Sequence, residues 1–384
     1  MMAIHAVHPT GRYPDDVDAV KAAVDAALPG DWILLRATDA AGVPTFFHFG
    51  DDASPGRGWI NLTKDITIVG EAMPPTDFVF PDGRTPDPDL TPDRTIVYGG
   101  KRPFQCQPTN THAATTLTVR GLYFAYPALA AVQVRKSAGF EVTDCVVCGV
   151  RSGLTDLAFS VATGIEATGL DSSRAGEQPD LTGYFRVSNN VVTRSDEPAT
   201  YQRPDGGIIL QLARMNADIH DNDIRQFAAT GIVVDACEGS SIEIRHNTTV
   251  NCGYGDRDGL GFAQAAGIIV RRTGAPAPAM LRVIDNAVVG GAVTGPAGDP
   301  LESKSGISIW GSSWADVHAN TVSGTLLVTG ILVTGFDSAG IRTLSRHNRI
   351  TGNRLPNLPA GHEAVSVDVD CTDNLVQGNH VAAQ

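Results

Sequence analysis

No stretch of about 18 uninterrupted apolar residues occurs in the 384-residue chain, so no helix can be expected to span a membrane. Lysine is scarce, with 5 residues against 24 arginines, which points to a GC-rich bacterial genome rather than to a function. Base is scarcer than acid: 29 lysines and arginines face 42 acids, for a net charge of −13. A duplex nucleic-acid binder would need the opposite sign, so nucleic acid is excluded as a partner. An anionic polymer would also be repelled unless a local basic stripe or a bound cation offset the field. The opening segment, Met1 to Asp16, lacks the charged-then-apolar pattern of a signal peptide. The expectation is therefore a cytoplasmic protein with reduced thiols, although a chain whose leader had been removed would read the same. No glycine-rich dinucleotide fingerprint and no phosphate loop occurs, so no cofactor is expected. The six cysteines are scattered, which excludes a disulfide-dense scaffold.

What is present is enough apolar residue for a core, 42% against 18% charged, which excludes disorder. Glycine (41) and proline (23) are abundant, so the chain turns often. One amphipathic helix is legible, from about Tyr13 to Leu28. Val17, Val20, Val24 and Leu28 share a face, Asp15, Asp16 and Asp18 suit its positive end, and Pro29-Gly30 stops it. A strand follows at Trp32–Leu35. The expected organisation is an N-terminal segment, 1–31, carrying a capping helix, and one domain, 32–384.

Beyond that helix the chain repeats a unit. It opens as Gly207-Ile208-Ile209-Leu210, and returns at Gly231, Gly267, Gly306 and Gly330, more loosely at Ala364. An asparagine recurs at Asn190, Asn222, Asn247, Asn286, Asn320, Asn348 and Asn379, at intervals of 25 to 39 residues. Such a period with variable insertions signifies a solenoid. Short alternating strands cannot bury an aliphatic face alone, but coiling lets each pair with its equivalent one turn later, about 4.8 Å away. A repeated asparagine at a turn can bond the next asparagine and the bent backbone. Cys145 takes the equivalent place in an earlier coil, so the ladder is expected to begin after it.

The Gly-Ile-x-Val … Ile-x-x-Asn-x-Val unit resembles the right-handed parallel β-helix superfamily, the pectate-lyase-like fold. The resemblance covers roughly the C-terminal half and extends to Ile66-Thr67-Ile68-Val69 and Val132-Gln133-Val134. It implies an all-β right-handed parallel β-helix solenoid with an N-terminal capping α-helix. It also implies a groove over the sheet formed by the repeat's first strands, PB1. The motifs of its best-known members are missing: Asp-Pro-His, Trp-Ile-Asp-His, Asn-Thr-Asp with Gly-His-Gly, and Gly-x-x-Asp-Phe-Ile-Phe-Gly.

Register then names candidates. Counting the glycine as zero, +1 and +3 face in while +2 and +4 face out. The +4 column reads Arg135, Thr168, Gln211, Asp235, Arg271, Trp310, Thr334 and Asp368. Asp235 and Arg271 fall on neighbouring coils. An aspartate can move a proton or orient the arginine, and an arginine can stabilise an anion as a proton leaves carbon. Tyr254 and Tyr201, on long insertions, complete a candidate catalytic set. Gln211, Trp310, Arg203 and Arg257 are the candidate substrate-binding residues. The competing reading is a surface ion pair and a stray aromatic, worth little.

His220, His246, His318 and His347 each precede a ladder asparagine, a repeated placement that reads as structural. Cys145 and Cys148 have a redox or half-zinc spacing without a second pair, and read as core thiols on opposite faces. No metal site is expected; Asp368, Asp370 and Asp373 could collect calcium, but a fraying acidic edge fits them better.

Three functions follow in order. The first is a carbohydrate-active lyase or epimerase working on the PB1 face. The second is an intracellular, cofactor-free lyase or isomerase of a small hydroxylated molecule. The third is a non-catalytic binding or assembly protein. The expected partner is a carbohydrate or small polar substrate, with no membrane, and homo-oligomerisation stays open.

Overall fold

The computed structural model describes residues 2–51, 58–73, 76–87, 89–90, 93–106, 115–135, 137–151, 163–169, 181–194, 206–227, 229–237, 241–253, 265–273, 280–290, 293–294, 300–301, 303–324, 327–338, 341–358 and 361–382. Among them, strands are collected into three long sheets, each parallel throughout. PB1 has ten strands, from Trp59–Asn61 to Glu363–Val367. PB2 has twelve, from Ile4–Val7 to Leu375–Gln377, and PB3 has eleven, from Phe47–His48 to His380–Val381. The chain visits PB1, PB2 and PB3 in turn and climbs one strand per coil. This is the parallel β-helix that the repeat demands.

The interior follows from alternation. Ile208, Ile232, Ile268, Ile307 and Ile331 stack in register along PB1. Two residues further on, Leu210, Val234, Val270, Ile309 and Val333 form a second column, and all ten are fully buried. Each column continues a single core from coil to coil, so every strand stabilises its neighbours by removing apolar surface from water.

The repeat's glycine has a steric cause that sequence alone does not reveal. A β-carbon on Gly207 would lie 2.2 Å from the Ile224 Cγ2 of PB3 and 2.8 Å from the Gly231 carbonyl oxygen. The same clash recurs at Gly231 with Thr249, at Gly267 with Val288 and at Gly306 with Val322. The chain bends inward at these glycines, and the residue before each of them turns outward. We therefore expect Gly207→Ala to destabilise by about 1–3 kcal/mol through overpacking, read as a lower denaturant midpoint. An unchanged midpoint would show that Ile224 can yield without cost.

The asparagine ladder lies at the PB2–PB3 corner. Each Asn Oδ1 accepts the backbone N–H and the side-chain Nδ2–H of the asparagine one coil earlier. The chain of bonds runs Asn190, Asn222, Asn247, Asn286, Asn320, Asn353 and Asn379, at 2.8–3.1 Å. It begins where expected: Asn190 Oδ1 accepts the Cys145 N–H. Asn348 is not a member. It precedes the PB2 strand Arg349–Thr351 and starts a second ladder, receiving the Ala315 N–H and donating to Asn374. The local pattern Asn-x-Ile misleads because the coil there carries two asparagines, and only Asn353 precedes a PB3 strand. The residue before each ladder asparagine is left-handed: Asn189, Asp221, His246, Asp285 and Ala319 have φ of 52–57°. Short polar side chains tolerate that conformation, which accounts for most of these residue choices.

The helix Asp15–Ala26 buries Val17, Val20 and Val24 against the first coil. A strand precedes it, Ile4–Val7, pairing parallel with Trp32–Leu35 at the head of PB2. Asp16 does more than complement the helix. Fully buried, it accepts hydrogen bonds from Thr10 N–H and Oγ1–H, Arg12 N–H and His48 N–H, tying the entry loop to the first PB3 strand. All six cysteines are buried and free. Cys145 belongs to the interior, whereas Cys148 packs with Tyr98 and Tyr123 outside PB3, so the two thiols do face opposite ways.

Candidate functional site

The outward +4 column holds its register. Thr168, Gln211, Asp235, Arg271, Trp310 and Thr334 are in-register partners across six consecutive PB1 strands. Arg135 extends the column upstream, next after the Val134–Ala167 pair, and Asp368 extends it downstream, accepting a hydrogen bond from Thr334.

Asp235 and Arg271 meet. Arg271 Nη2 lies 2.6 Å from Asp235 Oδ2, and Asp235 is 2% exposed. A third member joins them. Arg272 donates Nε–H to Oδ1 at 2.9 Å and Nη2–H to Oδ2 at 2.6 Å. Arg272 occupies the PB1–PB2 corner with φ of 48°, and this left-handed turn brings its guanidinium back over the sheet. A strand register cannot reveal a corner residue, which is why the column alone omits it.

Electrostatics decide what Asp235 can do. Burial pushes its carboxyl up, but the Arg272 and Arg271 hydrogen bonds and charges outweigh that and hold it below the ordinary carboxylate value. Both oxygens are engaged. Such a group orients cations and makes a poor proton acceptor, so of the two roles expected for Asp235 the geometry favours orientation.

Aromatic rings close the downstream side. Both guanidiniums lie over the Phe336 ring, at 5.6 Å for Arg271 and 5.0 Å for Arg272. Trp310 meets the same ring edge-on, with centroids 6.2 Å apart. It is half-buried, and its indole N–H has no partner. Phe336 belongs to a hairpin, Phe336–Ser338 with Ile341–Thr343, pinned by Arg342 to Asp337, Asp368 and Asp370 at 2.5–3.0 Å. Two of the three acids considered for calcium, Asp368 and Asp370, thus already pair with a guanidinium. Tyr201, Arg203, Tyr254 and Arg257 lie outside the described residues. The insertions 195–205 and 254–264 that carry them both lead from a PB3 strand into the next PB1 strand.

A second polar group was not singled out from the sequence. Gln105, Gln133 and Glu166 share the outward +2 column on successive coils, each less than 10% exposed. Glu166 Oε2 accepts from Gln133 Nε2 at 2.8 Å and from Thr163 Oγ1 at 3.0 Å, while Arg135 Nη2 lies 2.9 Å from its Oε1. The signal was available: counting from Gly164 puts a glutamate where later coils have Ile209, Val233 and Ile269. Those three, with Ala266, form a separate buried apolar cluster on the outer side of PB1.

The outer PB1 face is locally basic. Between Arg102 and Arg272, its described strands and corners carry Arg102, Arg135, Arg271 and Arg272 against Glu166 and Asp235. Four guanidiniums against two carboxylates make this described part of the face net positive on a net-acidic chain. Three histidines before ladder asparagines lie elsewhere: His220, His246 and His318 face acids on the opposite side, near the PB2–PB3 corner. A depression of about 370 Å³ lined by Asp285, Thr321 and Arg354 also lies at that corner, away from PB1. Its ladder amides are already hydrogen bonded to one another, so it offers little free chemistry.

No family model and no curated protein matches the sequence. Solved structures do. A mannuronan C-5 epimerase A-module of Azotobacter vinelandii aligns over 100% of this chain and 98% of its own, at 12% identity and a TM-score of 0.46. A GH136 lacto-N-biosidase from Eubacterium ramulus aligns over 99% of this chain and 67% of its own, at 13% identity and 0.48. The Dettilon tailspike protein aligns over 99% and 68%, at 14% and 0.46. This chain is a member of the parallel β-helix fold. The three sheets and their register establish that directly, and the alignments add nothing about chemistry.

Proposed function

We propose that this β-helix is a carbohydrate-active enzyme of the lyase or epimerase type, working on an acidic sugar polymer along the PB1 face. The observation that carries the reading is the arginine-rich outer face of a net-acidic chain. Four guanidiniums are set on rigid strands and corners, and two of them are locked by the buried Asp235. A sugar carboxylate beside such a group becomes a better electron sink, so the neighbouring C–H is easier to deprotonate. Trp310 at the downstream edge, half-buried and set edge-on to Phe336, supplies an aromatic surface for a sugar ring. The similarly folded proteins include one named a mannuronan C-5 epimerase and one named a mannuronic acid specific lyase, which agrees with this reading without carrying it.

The test is incubation with polymannuronate, polyguluronate and polygalacturonate in deuterated water. Elimination would appear as ultraviolet absorbance from a new carbon–carbon double bond. Epimerisation would appear as deuterium at the carbon beside the carboxylate, without absorbance. Neither signal on any of the three polymers, from folded protein, would overturn the proposal.

A further inference from the structure

The Glu166 group is incomplete in a way that specifies a ligand. Thr168 is 8% exposed, and its hydroxyl has no hydrogen-bond partner. The Arg102 Nε–H is likewise buried and unpartnered. A buried donor without an acceptor is costly, so two within three neighbouring PB1 strands call for an explanation. Thr168 lies beside Arg135 on the adjoining strand and two residues beyond Glu166 on the same face. Burial pulls the Arg102 pKa down, Glu166 opposes that, and Arg135 adds to it, so the three charges sense one another.

Charge points the same way. Among the described residues one carboxylate, Glu166, stands against two guanidiniums, and its oxygens are already engaged by Arg135, Gln133 and Thr163. Glu166 fixes Arg135 but leaves Arg102 without a full counter-charge. A partly buried cation of this kind is neutralised best by an anion that also brings a hydroxyl group for Thr168.

We propose that Arg102, Arg135 and Thr168, braced by Glu166, form a binding subsite for the carboxylate and adjacent hydroxyl of a uronate residue. The subsite lies two to four coils, or about 10–19 Å, upstream of the Asp235 level. It rests on reading the chain as one that handles acidic sugars, and it adds where one sugar carboxylate is held apart from the place of reaction. Past it, the +2 column turns apolar at Ile209, so the polar patch ends there and fixes where the charged group sits.

Titration calorimetry with D-glucuronate and D-galacturonate tests this, with D-glucose and acetate as controls. At least one uronate should bind about 10-fold or more tighter than either control, since neither control supplies both charge and ring hydroxyls. Thr168→Val should weaken uronate binding about 3- to 10-fold, the loss of one hydrogen bond to a ring hydroxyl. The same variant should melt no lower than the parent, because it removes a hydroxyl that lacks a partner. Arg102→Met should weaken binding more than Thr168→Val. Failure of both uronates to bind better than acetate, or parental affinity in Thr168→Val, would overturn the proposal. Binding is read without turnover, so an inert protein that binds uronate refutes the enzymatic reading alone. A polyuronate-active protein whose Thr168→Val variant binds normally refutes this subsite alone.

Discussion

Arg271→Ala is expected to lower turnover on an acidic polysaccharide about 100- to 1000-fold, the usual consequence of losing one preorganised donor to a developing anion. The expectation rests on placement. Arg271 is on a PB1 strand between the Asp235 and Trp310 coils, its guanidinium is fixed by Asp235 and by Phe336, and it remains 22% exposed. Asp235→Asn should give a comparable loss by another route. Its carboxylate accepts three N–H groups from two arginines, and an amide there would have to turn one N–H towards a guanidinium. Both cations would relax outward, so turnover falls although no reacting group is removed. The pH profile separates the roles. Asp235 sits below the ordinary carboxylate value, so it stays ionised down to acid pH and sets no limb of a rate profile near neutrality. The acid limb should therefore be in the same place in Asp235→Asn as in the parent. A limb that moves or vanishes would make Asp235 the base, and near-parental turnover in both variants would shift the site off this level. The linkage has the matching sign: a depressed aspartate stabilises the fold above its unfolded pKa, and that contribution disappears as pH falls through the folded value.

The fold was legible because its cause is periodic. Gly-Ile-x-Val recurs wherever a PB1 strand must turn its aliphatics inward, and the same register that placed Ile232 over Ile208 placed Arg271 beside Asp235. Three things were hidden for physical reasons. Arg272 belongs to a corner, where strand alternation stops applying and a positive φ redirects the side chain. Asn348 imitates a ladder residue because two corners in its coil solve the same problem of orphaned amides with the same side chain. Glu166 was within reach of the register rule but lies in a column that is apolar on later coils, so its charge went unread. The candidate catalytic tyrosines, Tyr201 and Tyr254, belong to insertions whose length varies from coil to coil. Repetition says nothing about residues that do not repeat.

Asn247→Leu is expected to cost about 3–5 kcal/mol of stability, read as a lower denaturant midpoint. Asn247 is 1% exposed at the middle of the ladder. Its Oδ1 accepts two N–H groups from Asn222, at 3.1 and 2.8 Å. Its Nδ2 donates to the Ile219 carbonyl, the Arg245 carbonyl and Asn286 Oδ1, at 2.8–3.0 Å. Leucine is close in volume but satisfies none of these, and water cannot reach the corner to replace the amide. The loss of Asn222's acceptor dominates, because a buried N–H and a buried amide nitrogen lose a partner together. Position along the ladder should grade the effect. Asn379, the terminal member, is half-buried and bonds only towards Asn353 and the Ile350 carbonyl, so Asn379→Leu should cost about 1 kcal/mol, with water filling the vacancy. Equal costs at the two positions would mean that the amides act independently of burial. A negligible cost at Asn247 would mean that the backbone corner holds its shape without them.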